Sequence, residues 1–242
     1  MKQRLHKYIA SCGYCSRRKA ELLLQAGLVT VDGRKVEDLG FKIDPERSTV
    51  EINGEAIAPP GPLTVILNKP EGFITSTHDT HERLTVMDLL PKSVVDRGVL
   101  PAGRLDFETE GLLVFTNDGN LQHRITHPRY TCPKVYRATL DREPTDRELE
   151  KLRKGVFLEE VGKKTAEAEV EMVTAPGERP PICQVRISEG MKRQVRRMFE
   201  TVRIRVVHLE RRSIGGVELG ELPRGGWRAL TDEEIESLTP EE

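Results

Sequence analysis

Apolar positions recur at helical spacing near the start of the chain and at strand spacing soon after. Leu5, Tyr8 and Ile9 form one short helical stripe, and Ala20, Leu23 and Leu24 form another behind Ser16, which sits where an N-cap belongs. Gly27 suits the left-handed stop of that second helix. LVTVDGRKV and TVEINGEAI then read as two hairpins, turning at Asp32-Gly33 and Asn53-Gly54. Pro59-Pro60-Gly61-Pro62 breaks the pattern and reads as a linker. The spacing therefore predicts a small αα-plus-hairpin domain over 1–58, a linker at 59–62 and a larger domain over 63–242.

Past the linker, strands alternate with helices. LTVILN (63–68), GLLVFTNDG (111–119), KVYRATL (134–140) and ICQVRIS (182–188) read as strands, the second running into a turn. RLTVMDLLP (83–91) reads as a short helix, and PTDRELEKLRKG (144–155) as an amphipathic one ended by Gly155. In EGMKRQVRRMFETV (189–202) a helix would place Met191, Val195, Met198, Phe199 and Val202 on one face and Lys192, Arg193, Arg196, Arg197 and Arg203 on the other. This is an α+β pattern with a mixed, mainly antiparallel sheet in the larger domain.

Composition narrows the class. The 242 residues are 32% charged and 37% hydrophobic, with no apolar run long enough for a membrane span. The first residues lack the apolar stretch of a secretory signal, and four Cys are too few for a disulfide framework, so a reducing cytoplasm is expected. The net charge is −1, but it is unevenly spread. Residues 1–36 carry eight Lys/Arg against two acids, residues 189–212 carry eight against three, and residues 231–242 carry six acids and no base. Two basic patches of this kind suit a polyanion such as RNA or DNA, and they equally suit solvated faces.

The chemistry centres on PAGRLDFETEGLLVFTNDG (101–119). Asp106, Glu108 and Glu110 alternate at the mouth of an apolar strand. Such acids can flank a glycosidic bond, bind a hard cation, or simply face water. Arg104, two residues earlier, favours an ionised, fixed carboxylate at Asp106 and disfavours a divalent cation.

The same stretch carries a family resemblance. Gly103-Arg104-Leu105-Asp106, Thr109-Glu110-Gly111-Leu112-Leu113 and Thr116-Asn117-Asp118-Gly119 closely resemble the catalytic motif of pseudouridine synthases, in the RsuA/RluB/RluE/RluF branch that acts on single ribosomal RNA sites. Further blocks follow in the family's order: Leu67-Asn68-Lys69-Pro70-Glu71-Gly72, His123-Arg124, His127-Pro128, Lys134-Val135-Tyr136, the 189–199 segment, and a closing segment of Arg211, Ile214-Gly215, Leu219, Leu222-Pro223 and Gly226-Trp227-Arg228-Ala229-Leu230-Thr231. The likeness spans nearly all of 62–237. Residues 4–10, 16–21 and 27–33 are similar to the RNA-binding module named after small-subunit ribosomal protein number four.

The resemblance implies a catalytic role for three residues: Asp106 as nucleophile, Tyr136 stacking on the uracil and shuttling a proton, and Arg196 pairing with the Asp106 carboxylate. It implies no cofactor and no metal. Arg17, Arg18 and Lys19 at a helix start, with Arg34 and Lys35 after the hairpin, form the expected RNA-binding face of the module. Arg104, Lys134, Lys192, Arg193 and Arg197 are the expected RNA contacts of the catalytic domain. The implied partner is ribosomal RNA, free or in assembly intermediates, acting on a monomer without a membrane. Arg193-Gln194-Val195-Arg196-Arg197-Met198 and 164–168 lean toward the large-subunit (23S) RNA, whereas His78-Asp79-Thr80-His81 leans toward the small-subunit (16S) RNA; the large subunit ranks first.

Two other readings compete. Cys12-Gly13-Tyr14-Cys15 has redox spacing, but it lies between helices, without the βαβ context of a thioredoxin-like site. His123 and His127 have metal-ligand spacing and read as structural. The alternative of a different class is a non-catalytic RNA-binding ribosome-assembly factor, which the presence of Asp106, Tyr136 and Arg196 together argues against.

Overall fold

The computed structural model describes residues 2–238; Met1 and residues 239–242, the end of the 63–242 domain and of the acidic tail, lie outside the described residues. The chain forms two compact units, one of Met1–Leu63, Pro91–Leu100 and Thr116–Gly119, the other of Thr64–Leu90, Pro101–Phe115 and Asn120–Glu242.

In the first unit, α1 (Leu5–Ser11) and α2 (Arg17–Gln25) form where the stripes predict. Ser16 Oγ accepts the Lys19 N–H at 3.3 Å and so caps α2. Gly27, at φ +67°, closes the helix, its N–H reaching Leu24 O at 2.9 Å. The strands β1 (Val29–Val31), β2 (Arg34–Lys35), β3 (Val50–Ile52) and β4 (Glu55–Ile57) run antiparallel in the order β2-β1-β3-β4. Both hairpin turns hold two residues at positive φ: Asp32 and Gly33, then Asn53 and Gly54. That is the turn type whose twist suits adjacent strands. Leu5, Tyr8, Ile9, Ala20 and Leu24 bury against Val29, Val31, Val50 and Ile52. Within the predicted linker, Gly61 O accepts from Arg97 Nη2 at 2.7 Å and Asn117 Nδ2 at 3.1 Å.

The second unit is built on β5 (Thr64–Lys69), β6 (Thr109–Thr116), α3 (Gly119–Thr126), β7 (Lys134–Leu140), α4 (Asp146–Arg153), β8 (Glu169–Met172), β9 (Ile182–Ile187), α5 (Gln194–Glu200), β10 (Val206–Ile214), β11 (Trp227–Ala229) and α6 (Asp232–Ser237). The sheet order is β8-β9-β7-β10-β6-β5-β11. β7 runs antiparallel to β9 and β10, whereas β10 runs parallel to β6. Every residue of β5 and β6 is buried, which explains their near-continuous apolar runs. Ile66, Leu112, Val114, Leu121, Ile125 and Ile214 belong to one core cluster.

Gly111 is required where β6 meets β10. It sits at φ +101°, and a Cβ there would lie 2.3 Å from Arg211 O and 2.6 Å from Arg211 N. Backbone cannot yield as a side chain can. Gly111→Ala is expected to cost on the order of 3 kcal/mol, read as a shifted urea midpoint. An unchanged midpoint would contradict the close approach.

The structure corrects four expectations. The 83–91 helix is a single 3-10 turn, Val86–Leu89, whose start is closed by a reciprocal capping box of Thr85 and Asp88. The 189–202 helix is α5 alone, because Arg193 takes a left-handed conformation at φ 53°. The Gln194 side chain holds the lead-in, accepting from Met191 N at 2.9 Å and donating to Glu189 Oε1 at 2.6 Å. Met191 therefore leaves the helical stripe, while Val195, Met198 and Phe199 are buried. Arg196 is not on a solvated face; it is 6% exposed. Residues 206–214, read only as part of a basic stretch, form the central strand β10.

Candidate active site

Asp106, Phe107 and Glu108 form the turn that leads into β6, and two buried cations hold it by its main chain. Lys69, at the end of β5, has 0% of its surface exposed. Its Nζ donates to Asp106 O at 3.1 Å, Phe107 O at 3.4 Å, Thr109 O at 2.9 Å and Pro70 O at 3.0 Å. Arg196 Nη2 donates to Glu108 O at 2.9 Å, and its Nη1 to Val206 O at 2.8 Å. The Thr109 N–H reaches Asp106 O at 3.1 Å and the Gly72 N–H reaches Phe107 O at 3.0 Å. The half-buried Asp106 carboxylate has no hydrogen bond or ion pair among the described residues.

The charges around that carboxylate are coupled. Burial pushes the Lys69 ammonium down to about 8, while Glu110 and then Asp106 pull it back up. Burial also lowers Arg196, with Arg193 adding to the effect and Glu108 and Asp106 opposing it. Both cations thus feel the Asp106 charge. The direct Arg196–Asp106 pair that the motif implies is not formed, because its hydrogen-bonded Nη1 and Nη2 serve main-chain carbonyls.

The three alternating acids are not equivalent. Glu110 is 3% exposed, and its Oε2 takes His208 Nε2 and Arg224 Nη2, both at 2.7 Å. Glu108 is exposed and pairs with Arg193 at 3.3 Å. Asp106 alone of the three presents an unpartnered carboxylate.

Tyr136 lies on β7 opposite Arg211 of β10. The register slips between Val135 and Tyr136, a bulge of the kind that re-aims a side chain. Arg211, 3% exposed, donates Nε to Leu112 O at 2.7 Å and Nη1 to the Tyr136 hydroxyl at 3.4 Å. Its guanidinium carbon stands 5.9 Å from the Tyr136 ring centroid, and its buried Nη2 has no hydrogen-bond partner among the described residues. Lys134 donates to Cys132 O at 2.9 Å and is lowered by burial. Lys69 and Arg211 were missed as site residues. Both sat in recognised blocks without a role. Reading VVHLERRSI as a strand would have placed Arg211 on the buried side with Leu209.

The expected RNA contacts divide. Arg17, Arg18, Lys19, Arg34, Lys35, Arg104 and Lys192 are exposed, although Lys35 pairs with Glu37 at 2.9 Å. Arg193 is half-buried on Glu108. Arg197 is engaged, pairing with Glu160 and donating to Lys192 O at 2.8 Å. The basic 192–212 stretch is thus mostly spent inside the fold: Arg196 and Arg211 are buried and Arg212 holds Glu210 at 3.2 Å. Its clearly exposed cations are Lys192, Arg203 and Arg205. His123 and His127 stack with ring centroids 4.5 Å apart.

Comparison with known proteins agrees with these motifs. The profile described as RNA pseudouridylate synthase matches residues 63–201, and the S4 domain profile matches residues 3–47. A ribosomal large subunit pseudouridine synthase B of Bacillus subtilis is 38% identical over 98% of this chain and 95% of its own. A ribosomal small subunit pseudouridine synthase A of Escherichia coli is 40% identical over 97% of this chain and 99% of its own. A crystal structure of a pseudouridylate synthase, 31% identical, superposes with a TM-score of 0.71 over 98% of this chain and 99% of that one.

Proposed function

We propose that this chain, which belongs to the RNA pseudouridylate synthase family, isomerises one uridine of ribosomal RNA to pseudouridine, with Asp106 as nucleophile. The observation that carries the assignment is the turn at 106–109. Buried cations fix its carbonyls, and the one charged side chain of the turn left unpaired among the described residues is the Asp106 carboxylate. A carboxylate so placed can meet the positive character that develops at an anomeric carbon. The N1–C1′ bond of uridine breaks, the uracil turns, C5 bonds to C1′, the C5 proton leaves and N1 gains a proton. Nothing is consumed, so no cofactor or metal is invoked.

Tyr136 supplies the ring on which the uracil stacks, and Arg211 orients its hydroxyl. Arg196 and Lys69 act on the carboxylate through the turn and through their charge. Residues 1–58 form the RNA-binding module, joined by 59–62 to the catalytic domain of 63–242. Arg17, Arg18, Lys19 and Arg34 contact phosphates, and these contacts offset the few kcal/mol needed to take a base out of the stack. The enzyme works as a cytoplasmic monomer. Among the described residues no helix is long and apolar enough to cross a membrane.

Large-subunit RNA is the proposed substrate, on the 164–168 and 193–198 segments. The test uses unmodified transcripts of the two ribosomal RNAs, digested to nucleosides after incubation. The expected product is one pseudouridine per large-subunit molecule and none in the small. The reverse pattern would move the substrate to the small subunit, and none in either would overturn the assignment.

A pH dependence follows from Lys69. Below about 8 it is an ammonium that donates to the turn. Above that it becomes an amine, loses a donor and turns a lone pair on the carbonyls. The turnover rate is expected to be level on the acid side of about 8 and to fall on the alkaline side. A rate that keeps rising through that range would contradict the role of the ammonium.

A further inference from the structure

We propose that Phe107 is the stacking platform for the RNA base beside the target uridine. The proposal rests on the function assigned above. Phe107 follows Asp106 directly and is 51% exposed. An exposed phenyl group alone is ordinary. This one stands on a backbone held from several sides. Its own carbonyl takes both Lys69 Nζ and the Gly72 N–H, and its neighbours' carbonyls take Lys69, Arg196 and the Thr109 N–H. A ring presented from so fixed a turn loses little further freedom on binding.

The chemistry of the reaction supplies the occupant. Extruding a uridine leaves the adjoining base with one face unstacked, and aromatic side chains take such faces whatever the base. Phe107 is the residue next to the reacting carboxylate and is exposed, and on this proposal its ring meets that adjoining base. Exposed Arg104, three residues earlier and without a partner among the described residues, supplies charge for the adjoining phosphate. Glu108 on the far side is held by Arg193, which offsets its repulsion of the backbone.

The test uses the ribosomal RNA fragment that wild type modifies, with the nucleotide on each side of the target replaced in turn by an abasic one. Phe107→Ala and Phe107→Leu are expected to lower kcat/KM by about ten- to a hundredfold, mostly through KM, while Phe107→Trp retains activity. Melting temperatures should stay near wild type, because the ring is exposed. One abasic position should harm wild type as much as the Ala change does, and should harm Phe107→Ala little further. Wild-type kinetics for Phe107→Ala, or an abasic penalty that adds fully to it, would overturn the proposal. Inactivity of wild type on the unsubstituted fragment would instead strike at the assigned function.

Discussion

Lys69→Met is expected to cripple both the fold and the reaction. Met nearly matches the side chain in shape but cannot donate. Asp106 O and Phe107 O keep N–H partners from Thr109 and Gly72, whereas Thr109 O, at a fully buried bond, and Pro70 O, at a partly buried one, lose the ammonium. Leaving such carbonyls without it costs about 2–4 kcal/mol, a large share of a domain's stability. The rate should fall by about a hundredfold or more even where the protein remains folded. The turn that aims Asp106 loses three of its restraints and a nearby positive charge, and misplacement by an ångström has that effect. Urea unfolding and initial rates at a temperature where the variant is fully folded separate the two losses. A folded Met variant with the wild-type rate would show that the tether does not serve the chemistry.

Much of this was legible in the sequence, and what was missed has physical causes. The two hairpins were readable because Asp-Gly and Asn-Gly carry their own backbone preference, and α2 because Ser16 and Gly27 mark its ends. Helix α5 was read too long because its stripe of Met191, Val195, Met198 and Phe199 continues through residues that the Gln194 side chain holds in a turn. The central strand β10 hid behind its charges: Glu210, Arg211 and Arg212 look like a surface run, yet Arg211 faces the core. α3 was not anticipated: the turn read at Asn117-Asp118-Gly119 runs directly into it. The motif singled out Asp106, Tyr136 and Arg196 as the residues to examine. It could not tell which atoms Arg196 serves, since that depends on a carbonyl 88 positions away in the chain. Net charge along 192–212 likewise overstated the RNA-facing surface, because several of those cations are spent on internal acids and carbonyls.

Asp106→Asn is expected to stop the reaction while leaving the protein otherwise intact. The bonds at this position use the main-chain carbonyl, which Asn retains, and the carboxylate holds no partner that would be orphaned. Stability should therefore stay within about 1 kcal/mol of wild type, the main change being the lost charge that Lys69 and Arg196 feel. RNA affinity should hold, because the phosphate contacts lie elsewhere. The rate should drop by roughly 10⁴-fold or more, the scale of losing a nucleophile. The most direct measurement is tritium release from ribosomal RNA labelled at C5 of uridine, with enzyme in excess over RNA and the two proteins run side by side. Release by wild type and none by Asp106→Asn, at equal melting temperature and equal RNA binding, is the predicted result. Release by Asp106→Asn at a rate near wild type would contradict the account at its centre.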